Sequence, residues 1–430
     1  MQFRQQVTRL STVLASALCL VMLAACAVAG PQQRTVLKVV PYPDIPGSFD
    51  TMLSIVEQGF EKENPDIDLV LVTASVGDMY ELPFLRDLLT NATDHGGAHI
   101  VETDTIMMGD LALEGVIRPQ TFTRDDWHPL IVQGTTVKGV RYGVPHWLCG
   151  NFLISRDKNI TEAQSVKDMY RRIRAAKPQG PGLAGNYAGN SYLVLYNTQS
   201  WGQYRPQVSD LLPAIVGPVE PVNARSVAVA SDLCIENGKN PCVDGTYYND
   251  FTPIFERTVK GDYAAMQGFS ESMWYLMQSG AKPSEWYFSP LPVGDVTRNV
   301  ILGDAYIARK DMDPATAAAA EKFYNYMMKD STYQSIIFSG GQPGQKVPRY
   351  LAPARLGIFA LPDLKNDAYY QRVYAAMTSP GGTNYPNLFV PDNRDRIYDE
   401  VMPYLNGTKQ VGPRKGLMLQ HMKRMKDMKK

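Results

Sequence analysis

The first ordered pattern in the chain is an apolar run, Val36-Leu37-Lys38-Val39-Val40, closed by Pro41-Tyr42-Pro43-Asp44-Ile45-Pro46-Gly47. A short apolar run ending in Pro and Gly reads as a buried strand. The period then lengthens. Met52, Ile55, Val56 and Phe60 place one apolar face on a helix over residues 49–63, and Asn64-Pro65 stops it. Asp68-Leu69-Val70-Leu71-Val72 reads as the next strand. Strand, loop, helix and strand in that order imply parallel pairing through a right-handed crossover. The alternation continues. Strands are expected at 99–102, 139–144, 151–155 and 300–308, and helices at 106–114, 165–176, 249–260 and 272–278. A further helix spans 313–328, with Asp313 as its cap and Pro314 at its first position. Residues 178–185, rich in Pro and Gly, read as a loop, and there is no internal repeat.

The N-terminus follows a different logic. Arg4 and Arg9 precede a mostly apolar, uncharged stretch over residues 10–23. That order marks an export signal, and the stretch falls short of the roughly 20 apolar residues of a membrane span. It ends in Leu23-Ala24-Ala25-Cys26, which resembles a lipoprotein lipobox with Cys26 as the lipid-bearing residue. The small residues near Ala27 and Ala29 equally suit ordinary cleavage. Residues 1–25 are therefore set aside as a signal peptide and 26–34 as a linker, and the mature chain is expected in the cell envelope or outside the cell. At the other end, 415–430 is basic and Met-rich and reads as a terminal helix fraying into solvent.

Composition narrows the classes. Lys+Arg and Asp+Glu are equal at 43 each, so no basic excess points to nucleic acid. The 24 Tyr and 5 Trp suit a cleft for a flat organic ligand, as well as plain core packing. Beyond Cys19 and Cys26, three cysteines remain. Cys234 and Cys242 bracket a short polar loop and are expected to pair in an oxidising compartment. Cys149 is the odd one out, flagged as a free thiol; by residue type alone, its neighbours Trp147, Leu148 and Phe152 also suit a packed core cysteine. No Cys/His grouping has the spacing of a zinc site, and neither a P-loop nor a Rossmann glycine pattern is present. No metal and no cofactor are expected.

Gly139-Val140-Arg141-Tyr142-Gly143-Val144-Pro145 resembles the passage at which group II periplasmic binding proteins first cross between lobes. The implied fold class is α/β, a two-lobe periplasmic-binding-protein-like (type II) fold with a ligand cleft between the lobes. Residues 35–144 would form the first segment of the N-lobe and 145–298 that of the C-lobe. Residues 299–330 would return to the N-lobe, and 331–430 would supply C-lobe helices and the basic tail. Within this frame two segments stand out, Pro145-His146-Trp147-Leu148-Cys149-Gly150-Asn151 and Gly268-Phe269-Ser270-Glu271. In order and spacing they resemble thiamine pyridinylase (thiaminase I), with a further match at Tyr350-Leu351-Ala352-Pro353-Ala354-Arg355. The resemblance runs from about residue 36 to at least 355.

The resemblance implies a transferase. Cys149 would attack the pyrimidine of thiamine, the thiazole would leave, and an amine, pyridine or thiol would take the pyrimidine. Glu271 would serve as base for the Cys149 proton, since thiolate is the nucleophile and a free thiol is mostly protonated at neutral pH. Tyr42 at the end of the first strand, Asp104 after the third, and Asp304 would position substrate. Asp104 equally suits a helix cap, and Glu271 an exposed first helical turn. Two departures accompany the match: Phe269 stands where the family pattern has Tyr, and His146-Trp147 is bulkier than expected. A monomer binding thiamine and a second small nucleophile, with no nucleic acid, is the expected assembly, and Cys26 is the candidate lipid anchor. The alternative is a non-catalytic solute-binding lipoprotein of an ABC importer.

Overall fold

The computed structural model describes residues 34–90, 97–177, 179–248, 250–342 and 344–408. The signal segment, Cys26 and the basic tail at 415–430 lie outside the described residues. Two main sheets are built, in chain order, from β1 (Thr35–Val40), β2 (Ile67–Leu71), β3 (Ile100–Asp104), β4 (Gly143–Pro145), β5 (Phe152–Ser155), β6 (Leu183–Ala184), β7 (Ala265–Gly268), β8 (Tyr287–Pro290) and β9 (Asp304–Ala308). The first sheet has the order β2-β1-β3-β9-β4 and the second β8-β5-β7-β6. In the first, β2 and β3 flank β1 in parallel, with Leu37 opposite Leu69 and Val39 opposite Ile100. Strand β9 then runs antiparallel to both β3 and β4. The chain leaves the first sheet after Pro145, enters the second at Phe152, and returns between Pro290 and Asp304. Each sheet with its helices is one lobe.

The helices that matter here are α1 (Phe49–Glu63), α2 (Thr105–Leu113), α3 (Asn190–Tyr204), α4 (Thr252–Lys260), α5 (Ser272–Gln278), α6 (Pro314–Met327), α7 (Asp330–Ile337), α8 (Ala368–Met377) and α9 (Val390–Leu405). Helix α1 forms as its pattern predicts. Ser48 caps it by accepting from the Thr51 N–H, and Met52, Val56 and Phe60 are its buried stripe. Phe60 meets Phe323 of α6 edge-on at 5.7 Å. Helix α7 packs on α1 and so lies with the first lobe, while α8 packs on β8 and α9 on α3.

Helices α2 and α3 carry no amphipathic signal because they are buried on every side. All of Thr105 to Ala112 is buried, and in α3 even Asn197, Gln199 and Gln203 are. The Gln199 and Gln203 amide nitrogens donate to the Leu291 carbonyl at 2.7 and 2.9 Å, which gives these donors a partner in the interior.

The expected strand at 300–308 is divided. Val300-Ile301 pairs with Thr383-Asn384, Leu302 pairs with Cys149, and only Asp304 onward joins the first sheet. Gly303 makes the break: a Cβ there would sit 2.1 Å from the Trp147 carbonyl oxygen. Residues 139–144 likewise divide into Val140-Arg141 and β4. The loop expected at 178–185 contributes β6, which pairs in parallel with β7.

Cys234 and Cys242 are joined by a disulfide with Cα atoms 6.2 Å apart. Cys149 is the free thiol among the described residues. Arg349, fully buried, ties the loop after β1 in place by donating to the carbonyls of Pro46, Ser48 and Ser339. Among the described residues no helix is long and apolar enough to cross a membrane.

Candidate active site

A cavity of about 400 Å³ lies between the lobes, and Tyr42, Asp104, Cys149, Glu271 and Asp304 all line it. These five residues come from separate parts of the chain. Tyr42 sits just past β1, and its N–H donates to Glu102 Oε2 at 3.2 Å. Asp104 ends β3 and caps α2, accepting from the Ile106 N–H at 3.1 Å. Capping and cavity lining are therefore both true of it. Asp304 begins β9 directly opposite Asp104 in the ladder. Directly opposed residues of an antiparallel pair have Cβ atoms about 4.5–5.5 Å apart, so two carboxylates share one patch.

Cys149 is held at the lobe crossing by exchanging backbone bonds with Leu302, at 2.8 and 3.1 Å. Its thiol is partly open to the cavity. Glu271 enters from the second lobe at the start of α5, where the Ser270 hydroxyl donates to it at 3.0 Å. The turn is fixed by Ser272 Oγ, which accepts from the Phe269 N–H at 2.9 Å. The cysteine and the glutamate thus reach one cavity from opposite sides of the crossing.

Electrostatics follow from burial. Loss of water pushes Glu271 up to about 7 and Asp104 likewise up to about 7. Asp304 is driven well above the usual carboxylate range, first by burial and then by Asp104. The Cys149 thiol is also pushed up, by burial and by the charges of Glu271, Asp304 and Asp104. The resting cysteine is therefore a thiol, and its proton must leave as it attacks. Five acids line the cavity, Asp44, Glu81, Asp104, Glu271 and Asp304, against one base, Arg394. A cationic ligand would be drawn in and would favour the ionised forms of all of them.

Sequence reasoning missed Tyr80, Asp44 and Tyr192. The Tyr80 hydroxyl meets that of Tyr42 at 2.7 Å, from a single 3₁₀ turn at Asp78–Tyr80 with no periodic signal. Tyr192 comes from the buried helix α3 and stacks beside Phe269, centroids 6.4 Å apart. His146 turns away from the cleft. Its Nδ1 faces Glu102 and the Tyr306 hydroxyl, both buried. Trp147 does line the cavity. Among the described residues no group of three or more His, Cys, Asp or Glu is arranged to hold a metal ion.

The opposed aspartates carry a prediction. Both have folded-state pKa values above those of an unfolded chain, so the native state holds protons that the unfolded state has released. Stability fully present below the unfolded carboxylate value of about 3.8 is then lost progressively as pH rises to about 7. Asp304→Asn is expected to stabilise the ligand-free protein by about 1 kcal/mol at pH 8 and hardly at all below about pH 3.5, where the carboxylate is protonated in the folded and unfolded states alike. Thermal melts at the two pH values check this. A variant no more stable at pH 8 than the parent would show that the pair does not repel.

No family model matches the sequence. The sequence is 23% identical over 397 residues to Thiaminase-1 of Paenibacillus thiaminolyticus, spanning 88% of this chain and 87% of that protein. The chain is a homologue of thiaminase I. Among solved structures, Clostridium botulinum thiaminase I in complex with thiamin matches with a TM-score of 0.70 at 18% identity, over 86% of this chain and 100% of that one. The sugar-binding protein MalE from Xanthomonas citri matches with a TM-score of 0.66 at 15% identity, over 91% of this chain and 96% of that one. The structural matches carry the fold: enzyme and binding protein share the two-lobed architecture, so the chemistry must be argued from the cavity.

Proposed function

We propose that this chain is a thiaminase I-like transferase acting on thiamine. The observation that carries the reading is one acidic cavity holding a free thiol, Cys149, and a buried carboxylate poised near neutrality, Glu271. Homology to thiaminase I supports the substrate. Thiamine is a cation with two flat rings. The acids favour its charge, and a volume of about 400 Å³ is in the usual range for a cofactor-sized molecule, roughly 300–1,000 Å³.

In this reading Glu271 takes the Cys149 proton as the sulfur bonds to an electron-poor carbon of the pyrimidine. The bond from the methylene to the thiazolium nitrogen then breaks. Its electron pair neutralises the thiazolium, which leaves as thiazole. A second nucleophile finally bonds to the methylene, and the sulfur is expelled. Asp104 and Asp304 hold the polar and cationic parts of the substrate, and Tyr42, steadied by Tyr80, offers a ring face and a hydroxyl. Export through residues 1–25, with Cys26 lipidated, completes the proposal; labelling with palmitate tests the anchor.

The likeness to sugar-binding proteins favours a second reading, a solute-binding protein that holds thiamine intact. Purified protein mixed with thiamine, with and without aniline, separates the two. We expect thiamine to disappear, faster with aniline, and a pyrimidine–aniline product of the summed mass to appear by liquid chromatography and mass spectrometry. Thiamine bound but unchanged would overturn the transferase reading.

A further inference from the structure

Of the residues given a part in the proposed reaction, Glu271 alone comes from the second lobe. Tyr42, Asp104 and Asp304 stand on the first, and Cys149 on the crossing. A general base must sit within hydrogen-bond reach of the proton it takes, about 2.6–3.2 Å. Something must therefore fix the Glu271 turn against the first lobe. Helix α5, which Glu271 opens, has only seven residues. On its own lobe it is held by Tyr275, which stacks on Phe255 of α4 with centroids 5.0 Å apart and planes 12° from parallel.

Trp274 makes the connection to the other lobe. Its backbone N–H donates to the Glu271 carbonyl at 2.9 Å, so the two residues share one turn. Its indole Nε1 donates to the Gly340 carbonyl at 3.0 Å. Gly340 belongs to the first lobe: it follows α7, which packs on α1. Arg349 ties this segment to the loop after β1, donating to the carbonyls of Ser339, Pro46 and Ser48. That loop carries Tyr42 and Asp44, which line the cavity. One run of bonds thus leads from the base to the substrate grip without passing through the lobe crossings.

Two glycines permit this approach. Gly47 has φ +85°, and a Cβ there would sit 2.8 Å from the Gly340 carbonyl oxygen. A Cβ on Gly340 would sit 2.9 Å from Trp274 Nε1 and 3.0 Å from the Val347 carbonyl oxygen. The Gly340 carbonyl is enclosed by Gly47 on one side and the indole on the other. Packing this close leaves the indole little room to shift.

We propose that Trp274 is a positioning residue, whose indole N–H holds the Glu271 turn against the first lobe and so sets the base relative to Cys149. The proposal rests on the transferase reading and on Glu271 as its base. Trp274 lines neither the cavity nor its rim, so it acts only through Glu271. Its loss should slow the chemical step and leave thiamine binding alone.

The test is Trp274→Phe, which removes the donor and keeps an aromatic ring. Its kcat should fall by about tenfold while the KM for thiamine stays within about twofold. In the Glu271→Gln background the same change should cost nothing further, an outcome that a general loss of stability would not produce. Gly340→Ala, which crowds the indole from the other lobe, should repeat the kcat loss and serves if Trp274→Phe does not fold. An unchanged kcat in the folded variant would overturn the proposal and leave the transferase reading standing. A parent that leaves thiamine intact would overturn the transferase reading, and the position of Glu271 is then read at the thiol. Glu271 is one of the charges that push the Cys149 thiol up. Alkylation of Cys149 by iodoacetamide across a pH series, followed by peptide mass spectrometry, should show the thiol titrating lower in Glu271→Gln and part of the way lower in Trp274→Phe. Any other pattern refutes the role of Trp274.

Discussion

Cys149→Ser is expected to lower thiamine turnover by roughly 10⁴-fold or more while leaving thiamine binding and the fold intact. The loss is large because a hydroxyl is a far weaker nucleophile than a thiol, and the cavity is set against forming any anion at this position. Burial and three carboxylates already push the thiol up. In the proposed mechanism the sulfur attacks as Glu271 takes its proton, and a cationic substrate offsets the local negative charge. Oxygen, much harder to ionise, cannot follow. The fold should survive, since residue 149 is anchored by backbone bonds to Leu302 and its side chain is partly open. Calorimetry should find thiamine bound to the variant within a few-fold of the parent affinity. Intact-mass analysis should find a pyrimidine adduct on the parent and none on the variant. Turnover within tenfold of the parent would remove Cys149 from the nucleophile's role.

Glu271→Gln should cost roughly 10²–10⁴-fold in kcat, the usual range for a general base, and should change the pH profile. Glu271 must be ionised to accept the proton. Activity is therefore present above its raised pKa, about 7, and falls about tenfold per pH unit as the carboxylate protonates below that value. The amide does not titrate, so the acid limb should vanish along with most of the rate. Asp104 titrates in the same region, also at about 7, so the parent profile belongs to the cluster. Asp104→Asn separates the two. It should weaken thiamine binding, seen as a higher KM, yet keep the acid limb. A Glu271→Gln variant that retained the limb would assign the base to another carboxylate.

The residues expected to carry chemistry were legible because each sits beside a local signal. Cys149 follows the turn that ends in Pro145, Glu271 follows the Gly268-Phe269-Ser270 turn, and Tyr42 and Asp104 close strands. All of them line one cavity. What stayed illegible has a common cause. Tyr80 and Tyr192 lie in a single 3₁₀ turn and in a helix buried all round, where neither period nor composition marks a residue as lining a cavity. His146 could be read only as bulk near the cysteine. Its side chain is turned inward by Glu102 and Tyr306, which lie far from it in sequence.

By itself, then, the sequence determined a parallel α/β start, helices such as Phe49–Glu63 and Pro314–Met327, and an unpaired Cys149. Those features are written in spacings of a few residues, which local backbone geometry converts directly into faces and caps. Only the tertiary structure decided that Asp104 stands opposite Asp304, that Gly303 divides a strand to bring Leu302 onto Cys149, and that Cys149 and Glu271 line one cavity. These depend on register and on contacts between residues more than a hundred positions apart. Short strands offer too little alternation to specify them locally, and only the closing of both lobes around one cleft fixes them.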